Sequence, residues 1–486
     1  MRVLLLSTYE LGHQPLLLAG PAGALRHAGH DVRVQDLAVD AFDVGAVDWA
    51  QAVALAVPMH TAARLARTAA EQVRHHHPDM PVCFYGLYAG LAGDSTPPLP
   101  GTRPMPDLAI AGELEPELVR WVDGLAHRTA PAGGPTRTVV TVRRGVGATP
   151  DRSGLPPLSS YARLVLSGEE RLAGYVEASR GCAHRCRHCP VPVVYDGRTR
   201  LVGVDAVVAD VAGLVDLGAR HVTFGDPDFL NGPHHARRVV EAVHGSFPEL
   251  TFDATVKVEH ILRHRDIWHT MASSGCLFVV SAFESASDHI LAVLDKGHSV
   301  ADAVEAVGIL RAAGIEPRPS LLPFTPWTGP ADLAALVDLV AACDLAGNVD
   351  AVQYAIRLLV PPGSLLLASG HLSGLIDRYD ASMLTWRWRS PDPALDALQL
   401  EVAALAESAA SEGWGALDVY RRMRRAVAAV VPGGLDLPPE PARRLRSAWP
   451  VDERPRLTEA WFCCAEPTGA QLRGASAAST ISTTQP

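Results

Sequence analysis

The first apolar run, RVLLLS at residues 2 to 7, is short and unbroken, the pattern of a strand covered on both faces. GPAGALRHAGH then reads as a helix that stops at a glycine, and VRVQDL as a second strand. The alternation continues through AVALAVPMH, a helix over RLARTAAEQVRHHH, the strand PVCFYG and the segment DLAIAGELEPELVRWVDGLA. Strand and helix in strict turn predict an α/β, parallel, doubly wound domain over residues 1–126. Such a domain takes ligands at the carboxyl ends of its strands, here the loops STYELGHQP, PMHTA and YGLYAG.

Residues 127–171, with APAGGPTRT and GATPDRSGLPPLSS, are rich in proline, glycine and polar side chains and read as a linker. A second alternation starts at GYVEAS. Strand-like runs recur at RHVTFGD, LTFDATVKV, CLFVVSAFE, EPRPSLLPF and DAVQYAIRLL, with helical stretches such as GVDAVVADVAGLVDLGA and VADAVEAVGILRAAG between them. Six strand–helix repeats over residues 172–365 predict a partial (β/α)6 barrel with its chemistry in the loops after the strands. Residues 366–450 read as a mainly helical region and 451–486 as a tail. The end of that tail, TGAQLRGASAASTISTTQP, lacks aromatics and periodicity and is expected to be disordered.

Composition narrows the function. The 486 residues carry 43 basic and 53 acidic side chains, a net charge of −10, which advertises no surface for nucleic acid. No run approaches the ~18 apolar residues that span a bilayer, so no membrane partner and a cytoplasmic location are expected. Eight cysteines in a chain of this length do not make a disulfide framework. Cys83, Cys276 and Cys343 sit alone in apolar runs and read as core residues.

The trio Cys182, Cys186 and Cys189, in GCAHRCRHCP, is different. It falls in the loop after the first barrel strand. Three thiolates fix three corners of a [4Fe–4S] cube and leave one iron without a protein ligand. A structural zinc ion needs a fourth ligand, which His184 or His188 can supply, so zinc stays open on spacing alone.

With this spacing in this kind of barrel, residues 172–365 resemble the radical S-adenosylmethionine (SAM) superfamily. The resemblance implies a [4Fe–4S] cluster, SAM chelated to the open iron, reductive cleavage of a carbon–sulfur bond of SAM, a small-molecule substrate, and a reducing partner such as flavodoxin or ferredoxin. It implies further that Asp226 and Asp228 of FGDPDF face the methionyl ammonium. Glu284 and Ser285 of SAFES approach SAM, as does Lys296 of LDKGH, and His188 lies near the adenine.

The domain ahead of the barrel resembles the Rossmann-like, cobalamin-binding type of that superfamily. No Asp-x-His-x-x-Gly motif occurs there, so cobalamin is allowed without an indicated lower cobalt ligand. LPFTPWTG, IRLLVPPGS and WFCCAEP resemble the subgroup with a Cys-Cys-Ala-Glu-Pro tail and, with it, the radical SAM enzymes of arsinothricin biosynthesis. Two adjacent thiolates suit one soft acceptor such as trivalent arsenic. Cys463 and Cys464 are then substrate ligands, and Glu466 orients the arm or takes a proton. The expected activity is transfer of the 3-amino-3-carboxypropyl group of SAM to thiol-bound arsenic. Cobalamin-dependent methylation of a small metabolite and a redox-sensing iron–sulfur protein are the alternatives.

Overall fold

The computed structural model of the chain describes residues 1–93, 105–127, 137–141 and 149–459. Strands β1 (Arg2–Ser7), β2 (Asp31–Asp36), β3 (Ala52–Ala56), β4 (Val82–Tyr85), β5 (Leu108–Gly112) and β6 (Arg137–Thr141) form one parallel sheet in the order β2-β1-β3-β4-β5-β6. Successive residues of a strand feed opposite cores. Leu4, Leu6, Val53 and Leu55 pack on one side of the sheet; Val3, Leu5, Ala54 and Ala56 pack on the other. This is why the strands read as unbroken apolar runs. β6 comes from inside the stretch read as linker, where the β-branched run RTVVT adds an edge to the sheet.

Helix Leu16–His27 contains Pro21, which cannot donate to the carbonyl four residues back. That carbonyl, of Leu17, accepts the Tyr85 hydroxyl at 2.7 Å instead. Strand order reverses between β1 and β3, so the loops after them border a crevice at a topological switch point.

The second sheet contains β7 (Arg163–Leu166), β8 (Glu169–Val176), β11 (His221–Phe224), β12 (Thr251–Thr255), β13 (Cys276–Glu284) and β14 (Glu316–Leu321). Between β8 and β11 lies a small antiparallel pair, β9 (Ser179–Gly181) and β10 (Thr199–Leu201). A hairpin, β15 (Ile376–Asp380) and β16 (Thr385–Trp388), interrupts the region read as mainly helical. Its Leu384 is buried in the first domain's core, and its Ala381 carbonyl accepts from Arg67 at 2.9 Å. β17 (Arg456–Leu457) closes the edge next to β7.

Five strands, β8 and β11 to β14, run parallel as an open barrel. The expected sixth, DAVQYAIRLL, is instead a 3-10 turn over Ala351–Tyr354 and a single bridge from Phe324 to Arg357. The reason lies in β14. Its residues 317 and 319 are prolines without an amide proton, and the Leu321 amide is taken by the Gln353 side chain at 2.9 Å. Helices Pro393–Glu412 and Ala416–Val430 pack against each other over this side. No helix among the described residues is long and apolar enough to cross a membrane.

The two sheets are joined tightly. Arg180 donates to both carboxylate oxygens of Glu115, at 2.9 and 2.7 Å, and to Glu177 at 2.8 Å. His13 stacks on Tyr175 with ring centroids 4.6 Å apart, and Tyr161 donates to Asp36 at 3.0 Å. The carboxyl ends of both sets of strands therefore open on one cavity of about 310 Å³.

Candidate active site

Cys182, Cys186 and Cys189 all line this cavity, and none is in a disulfide. Gly181 (φ +77°) turns the chain out of β9; a Cβ there would sit 2.4 Å from the Arg198 carbonyl. Asn231 accepts from the Ala183 amide at 3.0 Å, with its Oδ1 3.8 Å from the Cys182 sulfur. Arg187 fixes the middle of the loop: its amide donates to the Leu294 carbonyl at 2.9 Å, and its guanidinium to those of Ala292 and Val293. It thereby caps the helix Asp288–Leu294. Burial and the nearby Asp228 push the Cys182 thiol up to about 11. Three converging soft donors on a loop held from both sides fit a [4Fe–4S] cluster.

The acids of FGDPDF separate. Asp226 accepts from the Ala178 amide at 2.9 Å and from the Ser179 hydroxyl. Burial pushes its carboxyl up to about 7 against those two donors. Asp228 is also buried, but His184 and His260 outweigh that and hold it below the usual carboxylate range. Gly225 permits this turn, since a Cβ would lie 2.2 Å from the Tyr175 ring.

Glu284 ends β13 with φ +60°, a left-handed conformation that costs a non-glycine residue energy. Burial alone would raise its carboxyl; the Lys296 ammonium at 3.0 Å and His188 Nε2 at 3.2 Å reverse the shift and keep it ionised. Glu284, Lys296 and His188 line the cavity. Ser285 does not, because its hydroxyl accepts from the Ser287 amide at 3.2 Å and starts the next helix. Cys463, Cys464 and Glu466 lie outside the described residues.

Sequence reasoning missed the residues that the other domain brings in. Glu10 and His13 line the cavity from STYELGHQP, in a loop expected to bind ligand but with no residue singled out. Burial lowers His13 to about 4, so its imidazole is neutral at pH 7. Glu10 holds the Leu16 amide at 3.2 Å and is raised by burial. Leu11, Leu17, Pro58, Met59, Leu87 and Leu114 make the rest of that wall apolar. Such a wall fits one face of a large flat macrocycle such as cobalamin.

Residues 176–340 match the Radical SAM superfamily. An uncharacterized methyltransferase of Pyrococcus horikoshii is 23% identical over 217 residues, 44% of this chain and 44% of that one. The hopanoid C-2 methylase of Rhodopseudomonas palustris is 24% identical over 253 residues, 50% of this chain and 44% of its own. The match thus spans less than half of each of these curated relatives. In fold, the chain is similar to the cobalamin-dependent S-adenosylmethionine radical enzyme OxsB: TM-score 0.65 at 16% identity, over 85% of this chain and 67% of that one. It is also similar to the radical S-adenosylmethionine methyltransferase TsrM of Kitasatospora setae: TM-score 0.57 at 16% identity, over 88% and 89%. Residues 176–340, which carry the three cysteines in a loop of the open parallel barrel, are thus a domain of the Radical SAM superfamily.

Proposed function

We propose that this enzyme is a transferase that moves a SAM-derived group to an acceptor held in the cleft between its two sheets. One observation carries the reading: the three cysteines and the strand-end loops of the first domain line the same cavity. The cluster, when bound, supplies the electron that breaks a carbon–sulfur bond of SAM. The chain's own residues then have distinct tasks. Asp226 and Glu284 hold the charged amino-acid end of SAM. Lys296 and His188 fix Glu284, and the Leu11, Met59 and Leu87 wall keeps water out of the cleft. A reducing partner such as flavodoxin or ferredoxin provides the electron.

The geometry best supports cobalamin-dependent methyl transfer to a small metabolite, because the apolar wall at the switch point of the first sheet faces the cysteine loop across the cavity. One SAM gives up its methyl group and leaves as S-adenosylhomocysteine; a second, cleaved reductively, leaves as methionine and 5′-deoxyadenosine and takes away the hydrogen that the methyl group replaces. Stoichiometric cobalamin binding on reconstitution, with methyl label in the product, tests this. A fully loaded protein that binds no cobalamin contradicts it.

A second reading, transfer of the 3-amino-3-carboxypropyl group to trivalent arsenic on Cys463 and Cys464, rests on the tail. Glu459, the last described residue, accepts from the hydroxyl of Tyr9 at 2.8 Å, and the next residue in the chain, Glu10, lines the cavity. Glu466 orients that arm or takes a proton. This transfer leaves 5′-methylthioadenosine. Replacing both cysteines by serine is expected to retain the cluster and SAM binding while losing arsenite binding and product; variants that turn over arsenite normally contradict it.

A further inference from the structure

Asp228 lines the cavity and is held at one oxygen by the backbone. Its Oδ1 accepts from the Leu230 amide at 3.3 Å and the Lys257 amide at 3.5 Å, which fixes the carboxylate and turns Oδ2 towards two imidazoles. His260 Nδ1 lies 2.7 Å from Oδ2 and His184 Nε2 lies 3.5 Å from it. All three atoms are buried, and none has a hydrogen-bond partner of acceptable geometry. Asp228 is 2% and His260 6% exposed. These three buried ligand atoms, two imidazole nitrogens and one carboxylate oxygen, lie within 4.8 Å of one another without a well-aligned hydrogen bond among them, an arrangement that a bound cation satisfies.

We infer that His184, Asp228 and His260 form a mononuclear site for a divalent cation of the zinc or ferrous class, separate from the three-cysteine cluster. Ligand atoms bound at about 2.0–2.2 Å to such an ion stand roughly 2.8–3.6 Å apart in octahedral or tetrahedral shells, which the two separations from Asp228 Oδ2, 2.7 and 3.5 Å, approach. Two imidazoles and one carboxylate leave coordination positions open. His184 and Asp228 line the cavity, so the open side gives onto the space where the acceptor is held. There the ion binds a water or an anionic oxygen of the acceptor.

The surroundings supply the outer ligand support that metal-bound histidines need. Lys257 Nζ donates to His184 Nδ1 here; when Nε2 binds the ion, Nδ1 instead carries the ring proton and donates towards Glu259 Oε2, 3.7 Å away. Lys257, 3.0 Å from His184 Nδ1 and 3.3 Å from Glu259, then keeps Glu259 as its partner. The site needs neither the cluster nor any particular transferred group.

The test uses the untagged full chain with Cys182, Cys186 and Cys189 all changed to alanine, so that iron–sulfur assembly cannot contribute. Titration with cobalt(II) alone is expected to saturate at about one ion per chain, with a ligand-field spectrum that zinc(II) abolishes. Asp228→Asn and His184→Ala in that background are expected to weaken binding at least about ten-fold. In a parallel arm, the reconstituted wild-type chain is expected to carry about one non-cluster metal beyond its about four irons, which Asp228→Asn loses while the irons stay. No saturable cobalt binding, or binding and metal content that neither substitution changes, overturns the site.

Discussion

Asp226 carries a pH signature that distinguishes a SAM contact from a merely structural acid. Its carboxyl, pushed up to about 7 by burial, is charged only above that value, and only the charged form attracts an ammonium group. SAM affinity of the wild type is therefore expected to rise between about pH 6 and 8, and to be flatter and weaker in Asp226→Asn. Equal pH dependence in both proteins, read by equilibrium binding, removes Asp226 from the SAM site. Glu284→Gln is expected to keep about four irons per chain while SAM binding weakens by about ten-fold or more, since a charged hydrogen bond contributes ~1.5–3 kcal/mol. The sequence pointed to both residues as strand-end acids. It could not separate Asp226 from Asp228, because the difference is made by His184 of the cysteine loop and by His260 on the helix Val258–Arg263. Asn231 was likewise invisible, an ordinary polar residue until the fold sets it against the cysteine loop.

Among the elements, β9 and the helix Glu115–Ala126 show how one ion pair ties the cysteine loop to the other domain. The half-buried Arg180 donates to Glu115 and Glu177, with Glu113 at 3.7 Å. Arg180→Ala leaves three carboxylates facing each other without their cation and is expected to destabilise the joint by about 3–5 kcal/mol. A lowered thermal midpoint, with easier proteolysis between the domains, checks this; an unchanged midpoint contradicts it. Gly225→Ala is expected to displace the Tyr175 ring and loosen its stack on His13, costing about 1–3 kcal/mol. The alternation of strands and helices was legible because parallel strands covered on both faces are uniformly apolar. The sixth barrel strand was misread for a reason also present in the sequence: Pro317 and Pro319 make EPRPSL an edge. RTVVT was hidden by the proline- and glycine-rich residues around it.

For the whole molecule, sequence reading reached each domain but not their contact. Nothing local says that the strand ends of the first sheet face those of the second, because that arrangement depends on pairs such as Arg180 with Glu115 and Tyr9 with Glu459, which are 65 and 450 residues apart. Reductive cleavage of SAM at the Cys182, Cys186, Cys189 loop is read in the nucleoside that the anaerobically reconstituted, reduced protein forms from SAM. The account predicts a SAM-derived nucleoside with the wild type and none with Cys186→Ala. A wild-type chain that holds about four irons and leaves SAM intact under reduction would contradict it.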